Sequence, residues 1–352
     1  MEPGKLKKDF YRTIENTVRE FKMLEPKDSV LVAVSGGPDS VALVLLLIFL
    51  KPSYDLDIGI AHLNHLLRGE DSLRDEAFVR ELAQKFGLPF FCKQKDVKSH
   101  AEHHRLSVEE AGREVRYDFF SMLSHDHGYK KIATGHNKND NAELVLINLL
   151  RGAGPKGLSG IPPVRDNLYI RPLIRKTKKD ILDFLKAEDQ PFRVDASNTD
   201  TTYLRNAVRH RLIPVLESDY NPEIINALDR LSHILRQEEE YLDAEAQKQF
   251  ESCLTIKDAS FISFSKKKLS KLHPAMVNRV IRKGIGKVKK DLRRISLTHM
   301  EDILDFCFNR HSGTSLDLPG RIRIYKQKDT LTIKKEERPL REIGKLTKGG
   351  RI

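Results

Sequence analysis

Residues 29–50 read SVLVAV-SGGPDS-VALVLLLIFL and carry the signal that decides the fold. The first apolar run predicts a buried β-strand, and the second predicts a buried helix. Between them lies SGGPDS at 35–40, whose two glycines let the backbone approach a ligand closely. The helix that follows offers free N–H groups and the positive end of its dipole. The sequence therefore predicts a phosphate-binding loop between a strand and a helix.

Strand and helix patterns alternate along the first half of the chain. This alternation predicts a Rossmann-like α/β fold, in which a parallel sheet is covered by helices on both faces. Ligands of such sheets bind beyond the C-terminal ends of the strands, so we expect the functional loops after Val34, Leu63 and Gly135. Residues 188–214 are polar and are predicted to be irregular. The further strands are predicted at 58–63, 89–92, 132–135 and 168–170, and the further helices at 74–86, 107–124, 141–150 and 177–187.

The second half of the chain has a different organisation. Apolar residues at helical spacing predict one long helix at 221–250, and shorter helices and strands follow it. We therefore predict three parts: a catalytic domain at 1–215, a long helical connector at 216–253 and a small α+β C-terminal domain at 254–352. The apolar stripe of the connector could pack on its own domain or on a second subunit, so the sequence leaves open whether the chain forms a homodimer.

The net charge of +12 is distributed unevenly over these parts. The first part has a net charge of +4, the connector −7 and the C-terminal part +15. A separate, strongly basic unit favours a polyanionic partner, with nucleic acid as the first choice. Seven of the thirteen residues at 282–294 (RKGIGKVKKDLRR) are basic and none is aromatic, which favours contacts with a nucleic-acid backbone over base stacking.

Several classes of protein are disfavoured. The longest apolar run, at 41–50, is too short to span a bilayer, and the first ten residues contain no apolar signal-peptide core. Cys92, Cys253 and Cys307 lie far apart and form neither a zinc motif nor a disulfide framework. We therefore expect a cytoplasmic protein that does not bind to membranes.

Four further polar blocks follow the phosphate loop: HLNHLLRGEDS at 62–72, SVEEAGREVRY at 107–117, GHNKNDNAE at 135–143, and DASN at 195–198 with RNAVRH at 205–210. The loop itself lacks the lysine of the GxxxxGK[ST] motif. Together with SGGPDS, these blocks closely resemble the tRNA(Ile)-lysidine synthetase family of the N-type ATP pyrophosphatases. The resemblance covers 29–214 with the motifs in order, and its most specific parts are the blocks that contain HLNHLLR and RNAVRH.

The resemblance implies a reaction in two steps. ATP would adenylate the C2 carbonyl oxygen of the wobble cytidine in tRNA(Ile) with a CAU anticodon, and pyrophosphate would leave. The side-chain amine of free L-lysine would then attack C2 and expel AMP. The expected cofactors are ATP and Mg²⁺, and the expected partners are this tRNA and lysine. Longer members of the family have another C-terminal domain, so their tRNA contacts are not transferred directly to this chain.

The motifs and the resemblance together nominate site residues. Asp39 and Asp140 are the predicted Mg²⁺ ligands. The predicted ATP-binding residues are Ser35, Gly36, Gly37, Pro38, Asp39, Ser40, His62 and Asn64. The predicted catalytic residues are Asp39, Arg113, His136, Asp140 and Arg205, with the arginines on the α-phosphate and His136 among the candidate bases for the amine. The predicted tRNA contacts are Arg205, Arg209, Lys287, Lys289, Lys290, Arg293 and Arg294.

Simpler roles stay open for some of these residues. Asp140 could cap the helix that follows it, Arg113 could pair with Glu109, and His62 could only position its loop. Two other functions are also open. A tRNA thiolase of the same fold generally needs a reactive or cluster-binding cysteine, and none of the three cysteines follows a strand end near the loop. A non-enzymatic, nucleotide-gated RNA-binding protein could dispense with Asp140 and the block at 205–210.

Overall fold

Strands from the first half of the chain form one twisted sheet in the computed structural model, which describes residues 3–67, 69–193, 204–258 and 260–338. Its strands are β1 (Ser29–Ala33), β2 (Asp57–Asn64), β3 (Phe90–Gln94), β4 (Lys131–Ala133), β5 (Val164–Arg165) and β6 (Tyr169–Ile170). Their order in the sheet is β3-β2-β1-β4-β6-β5, and only the edge strand β5 is antiparallel to its neighbour. After β3 the chain crosses to the other side of β1 and forms β4, so the loops after β1 and β4 lie side by side.

Helices cover both faces of this sheet, as the alternating pattern predicts. Within β1, Val30 and Val32 point into one apolar core, while Leu31 points into a second core on the opposite face with Phe119. Both faces of a parallel sheet are thereby buried, and the predicted α/β fold is confirmed. The helices of this region are α1 (Pro3–Glu20), α2 (Pro38–Tyr54), α3 (Glu70–Lys85), α4 (Val97–His104), α5 (Val108–His127), α6 (Lys138–Leu150), α7 (Pro155–Leu158) and α8 (Lys178–Ala187).

The prediction of irregular structure at 188–214 is wrong for its last part. Residues 204–220 form consecutive helical turns: α9 (Leu204–Ala207), a π-helical turn (Val208–Leu212), α10 (Ile213–Val215) and a second π-helical turn (Leu216–Tyr220). Val208 and Ile213 are buried against apolar residues of α6, and this packing stabilises turns that polar residues otherwise dominate. Arg68 and the DASN block lie outside the described residues.

The chain divides into two compact units, 1–236 and 237–352, and one long helix, α11 (Ile224–Cys253), belongs partly to each. The second unit contains an antiparallel sheet in the order β7-β8-β11-β10-β9 around its own apolar core, so its α+β character is confirmed. The predicted division into a catalytic domain (1–215), a connector (216–253) and a C-terminal domain (254–352) concerns function and stays a prediction. The elements of this unit are β7 (Leu254–Lys257), β8 (Phe261–Ser265), α12 (Lys266–Leu269), α13 (Pro274–Lys289), α14 (Leu297–Phe308), β9 (Thr314–Leu318), β10 (Ile322–Lys326) and β11 (Thr330–Lys335).

None of the helices in the described ranges is both long enough and apolar enough to cross a bilayer.

Candidate active site

The phosphate loop connects β1 to α2, as predicted. Gly36 has a φ of +90°, a conformation that residues with a side chain rarely adopt. The Ser40 hydroxyl donates to the carbonyl of Gly37 at 2.8 Å and accepts from the backbone N–H of Ser35 at 3.2 Å, so it closes the loop on itself. Pro38 occupies the first turn of α2, where its missing N–H costs no hydrogen bond. The remaining N–H groups of that turn face the loop and suit an anion.

Asp39 is joined to the loop after β4 by Asn137. The Asn137 amide donates to Asp39 Oδ1 at 3.0 Å, and its backbone N–H donates to Asp140 Oδ2 at 3.0 Å. Asn137 thus contacts both predicted Mg²⁺ ligands, Asp39 through its side chain and Asp140 through its backbone N–H. Gly135 makes this approach sterically allowed, because a Cβ at that position would lie 3.1 Å from the backbone carbonyl carbon of Asp39.

Asp39 also binds a cation of the chain itself. Lys178, at the start of α8, places its Nζ 2.6 Å from Asp39 Oδ2. The backbone N–H of Lys178 donates to the Asn139 side chain at 2.9 Å, which fixes α8 against the loop after β4. Sequence reasoning missed Lys178, because 139 residues separate it from its partner and its lysine-rich segment looks like an exposed helix start.

A buried acidic pair lies on α6. Asp140 and Glu143 are one helical turn apart, and the Glu143 side chain is only 1% exposed. Arg205 contacts both carboxylates at 2.7 and 2.8 Å, and Arg209 contacts both at 3.3 and 2.6 Å. Asp140 also caps α6. Asn137 and Asp140 each donate a backbone N–H to the other's side chain, so the helix-capping role considered for Asp140 is confirmed. Glu143 was missed, although its position three residues after Asp140 places it on the same face of the helix.

His136 lies beside this pair and is uncharged at neutral pH. Burial is the largest cause that lowers the pKa of His136, and three guanidinium groups lower it further. The carboxylate of Asp140 raises this pKa in part, and the result is a pKa of about 4. The three groups belong to Arg171, Arg205 and Arg116. An uncharged imidazole can accept a proton or a hydrogen bond in this site.

His62 and Asn64 hold the ends of the strands in place. The His62 ring is buried, with Nδ1 2.8 Å from the carbonyl of Val34, so Nδ1 carries the proton. The Asn64 amide donates to the carbonyl of Ser72 and to the Glu76 carboxylate, both at 3.2 Å. Both side chains therefore shape the loops that border the site, and their contact with ATP stays a prediction.

Arg113 does not pair with Glu109 within the described part of the chain, so the simpler role considered for it lacks support. Its guanidinium carbon lies 5.3 Å from the ring centroid of Tyr117, one turn further along α5. No group of three or more histidine, cysteine or acidic side chains that could hold a metal converges among the described residues. A metal ion here would take part of its coordination from water or from substrate oxygens.

The basic residues nominated in the second unit differ in exposure. Lys290, Arg293 and Arg294 are exposed. Lys287 is also exposed and places its Nζ 4.9 Å from the ring centroid of Phe250. The side chain of Lys289 is only 9% exposed and is paired with Asp291. Lys287 and Lys290 line a cavity of about 570 Å³ together with Lys257.

The cysteines lack the features of reactive thiols. Burial raises the pKa of Cys92 to about 12, with a further contribution from Glu76. Burial also raises the pKa of Cys253, and it raises that of Cys307 to about 12. Thiols with such values are protonated at neutral pH and are poor nucleophiles, which argues against sulfur transfer.

Comparison with known proteins agrees with this site. The family model of the PP-loop domain matches residues 6–216. The tRNA(Ile)-lysidine synthase of Clostridium tetani is 38% identical over 309 residues, which are 88% of this chain and 65% of that protein. The enzyme of the same name from Clostridioides difficile is 34% identical over 322 residues, which are 92% and 70% of the two chains. The chain thus spans about two thirds of the length of these curated relatives.

A solved structure shows the same fold. The U34-tRNA thiolase NcsA from Methanococcus maripaludis, with its [4Fe-4S] cluster, superposes with a TM-score of 0.54 at 16% identity, covering 65% of this chain and 80% of its own. At this identity the likeness concerns the fold alone. The family match, the phosphate loop and the sequence relatives together confirm the resemblance found in the motifs, and the chain belongs to the tRNA(Ile)-lysidine synthase family of PP-loop proteins.

Proposed function

We propose that this chain uses ATP to convert the wobble cytidine of tRNA(Ile) with a CAU anticodon into lysidine. The observation that carries the proposal is the position of two features at one edge of the sheet. The phosphate loop suits the triphosphate of ATP. Next to it, the acidic pair Asp140 and Glu143 binds the cationic side chains of Arg205 and Arg209, and the same pair could bind the ammonium group of lysine. The family relationship supports the same reaction.

In the first step, the C2 oxygen of the cytidine attacks the α-phosphorus of ATP, and the bond from that phosphorus to the bridging oxygen breaks. Pyrophosphate leaves with additional negative charge. The backbone N–H groups after Gly36 and the Ser35 and Ser40 hydroxyls are positioned to bind it. Lys178 and Arg205 supply positive charge beside the loop once their carboxylate partners are taken by other cations.

Mg²⁺ fits the residues that the chain offers. Asp39 and Asp140 are hard oxygen ligands joined through Asn137, and the Asp39 side chain is 26% exposed, so an ion can reach it. Mg²⁺ usually binds through one or two carboxylates, water and substrate phosphates, which agrees with the small donor set here. When bound, it would neutralise charge on the leaving pyrophosphate.

In the second step, the amine of lysine attacks C2 and the bond from C2 to the oxygen of AMP breaks. Asp140 and Glu143 attract the ammonium form of lysine, which must lose a proton before it can attack. His136 is unprotonated and lies beside them. With a pKa of about 4 it is a weak base, but bound phosphate would offset the arginine charges that depress this pKa.

Transfer of labelled lysine tests this proposal. The protein should attach lysine to tRNA(Ile) with a CAU anticodon and release one AMP and one pyrophosphate for each lysine. Methionine tRNA, which has the same anticodon, is the matched control and should remain unlabelled. The tRNA substrate also implies activity in the cytoplasm.

Two outcomes would contradict the proposal. Sulfur incorporation in place of lysine would identify a thiolase. Binding of tRNA and ATP without release of pyrophosphate would identify an RNA-binding protein without catalytic activity.

A further inference from the structure

Arginines surround Tyr117 next to the candidate active site, and we call Arg113, Arg116, Arg165, Arg171 and Tyr117 the arginine–tyrosine cluster. The guanidinium of Arg165 lies against two tyrosine rings that contact each other, 4.5 Å from the centroid of Tyr117 and 4.3 Å from that of Tyr169. Its Nη1 also donates to the Tyr117 hydroxyl at 3.3 Å. Stacking and this hydrogen bond fix the orientation of the guanidinium, so it is preorganised for a ligand.

The positive charge of the cluster is poorly compensated. Within the described residues, Arg113, Arg116 and Arg171 form no ion pair with a carboxylate, and Arg165 reaches only Asp166, whose side chain is 76% exposed. This contrasts with Arg205 and Arg209, each of which contacts two carboxylates.

The effect of this positive charge is clearest at Arg171 and Tyr117. Arg171 is 3% exposed. Its Nη1 donates to the carbonyl of Pro162, whereas its Nε has no hydrogen-bond partner in the part of the chain that the structure describes. Burial by itself would raise the pKa of Tyr117, yet the nearby arginines lower it. A buried cation without an anionic partner is costly, which indicates that an anion completes the cluster.

The cluster lies on the acceptor side of the site. Arg171 directly follows β6, and β6 is separated from β1 by β4, so its end lies roughly 10 Å from the phosphate loop along the sheet edge. His136, in the loop after β4, lies between the two and feels the charges of Arg171 and Arg116. The triphosphate of ATP is expected at the loop after β1. Free lysine offers a single carboxylate for four guanidinium groups, so the phosphates of the RNA match the charge of the cluster better.

We propose that the arginine–tyrosine cluster binds a phosphodiester group of the acceptor RNA next to the nucleotide that is modified. The inference rests on the proposed RNA substrate. A guanidinium group matches the two free oxygens of a phosphodiester, and Arg116 is exposed and can make this contact. Arg165 adds an oriented donor, and the buried Arg171 strengthens the field behind them.

Two substitutions test the role of the cluster in the full-length protein: Arg116→Ala, which truncates an exposed side chain, and Arg165→Gln, which keeps part of the stacked stem. Arg12→Ala is the matched control, because Arg12 is 75% exposed and paired with Asp9 on α1. Three probes are measured by equilibrium binding: tRNA(Ile) with a CAU anticodon, its isolated anticodon stem-loop, and a non-hydrolysable ATP analogue without RNA. Both RNAs are titrated over a series of NaCl concentrations.

We expect each cluster variant to bind both RNAs about tenfold more weakly, since a hydrogen bond to a charged group is lost. The slope of log affinity against log salt should fall by about 0.7 to 0.9 for each lost phosphate contact. Affinity for the ATP analogue should not change, and Arg12→Ala should match the wild type throughout. If Arg165→Gln does not fold, Arg116→Ala is sufficient for the test.

Two results would overturn the inference. The first is RNA binding with unchanged affinity and salt slope. The second is a loss of affinity for the ATP analogue alone, which would make the cluster part of the nucleotide site. The proposed function fails separately: a wild-type protein that shows the expected RNA effects but transfers no lysine would contradict that function and leave this inference intact.

Discussion

Lys178 shows at the scale of a single residue how the site is held before substrates bind. Its ammonium contacts the carboxylate of Asp39, where we propose that Mg²⁺ binds. A metal that binds Asp39 would release this ammonium beside the phosphate loop. Lys178 is therefore expected to exchange Asp39 for a phosphate oxygen when ATP binds.

Lys178→Ala should weaken binding of a non-hydrolysable ATP analogue in the presence of Mg²⁺ by about tenfold, because one charged hydrogen-bond donor to the phosphates is lost. Affinity for tRNA should stay the same. The matched control is Lys179→Ala, whose side chain is 84% exposed and paired with Asp183. Unchanged nucleotide affinity together with a lower melting temperature would show that Lys178 has only a structural role.

The pKa of His136 makes stability depend on pH. The unfolded chain binds a proton at this position below about pH 6.5, whereas the folded chain does so only near pH 4. The contribution of His136 to the free energy of unfolding is therefore fully present above pH 6.5, and it is lost as the pH falls towards 4. Between pH 7 and pH 5, the wild type should lose about 2 kcal/mol relative to His136→Gln. Urea unfolding of both proteins at pH 7, 6 and 5 measures this, and a constant difference would contradict it.

The sequence motifs identified site residues at the ends of strands. They did not identify the residues elsewhere that pair with these or with one another in the folded chain. Asp39, His136 and Asp140 follow predicted strands and are near one another as expected. Lys178 and Glu143 were missed because their importance comes from partners that only the folded chain brings close. A lysine at a helix start has no local signal that separates function from solvation, whereas the spacing of Glu143 from Asp140 was visible in the sequence.

At the scale of elements, the site depends on how closely the loop after β4 approaches the first turn of α2. The Cβ of an alanine at position 135 would lie 3.1 to 3.2 Å from backbone atoms of Asp39 and Ser40, which cannot rotate away as a side chain can. Any added side chain therefore moves one element away from the other.

Gly135→Ala should lower kcat/KM for ATP by about 10- to 100-fold, because a small displacement of Asp39 spoils the alignment of the reacting groups. RNA affinity should change little. Gly154→Ala serves as control, since that glycine has a φ of −76° and no atom within 4 Å of an added Cβ. Equal activity of the two variants would mean that the approach of α2 is not needed for catalysis.

The elements that hydrophobic patterning predicted are those with long apolar runs. The apolar runs of β1 and α2 are largely buried and are clear in the sequence, whereas the turns at 204–220 depend on packing against α6. The amphipathic helix α1 was not predicted at all, although Phe10, Ile14 and Val18 recur on its buried face. These positions have helical spacing, so the local sequence does carry a signal for α1, although charged residues separate the apolar ones.

At the scale of the whole molecule, the uneven charge predicts that the second unit takes part in RNA binding. Lys290 and Arg293 are exposed and have no role in its core, whereas Lys289 is engaged with Asp291. The double variant Lys290→Glu, Arg293→Glu should weaken tRNA binding about tenfold or more and flatten its dependence on salt. Filter binding over a range of NaCl concentrations measures both effects.

Two comparisons make that measurement specific. Lys289→Ala should have little effect on the salt slope, because its charge already has a partner. The activity of the double variant with saturating tRNA should approach that of the wild type. A salt slope that is identical in the wild type and the double variant would show that this basic surface is only solvated.

The pairing of each site carboxylate with a side-chain cation has a thermodynamic consequence. Asp39, Asp140 and Glu143 hold Lys178, Arg205 and Arg209, so a substrate cation enters by replacing one of these groups. Each replaced group is then free for a phosphate oxygen of ATP. Positively and negatively charged substrates therefore favour one another's binding, and by reciprocity lysine should raise the affinity for ATP by the same factor that ATP raises the affinity for lysine.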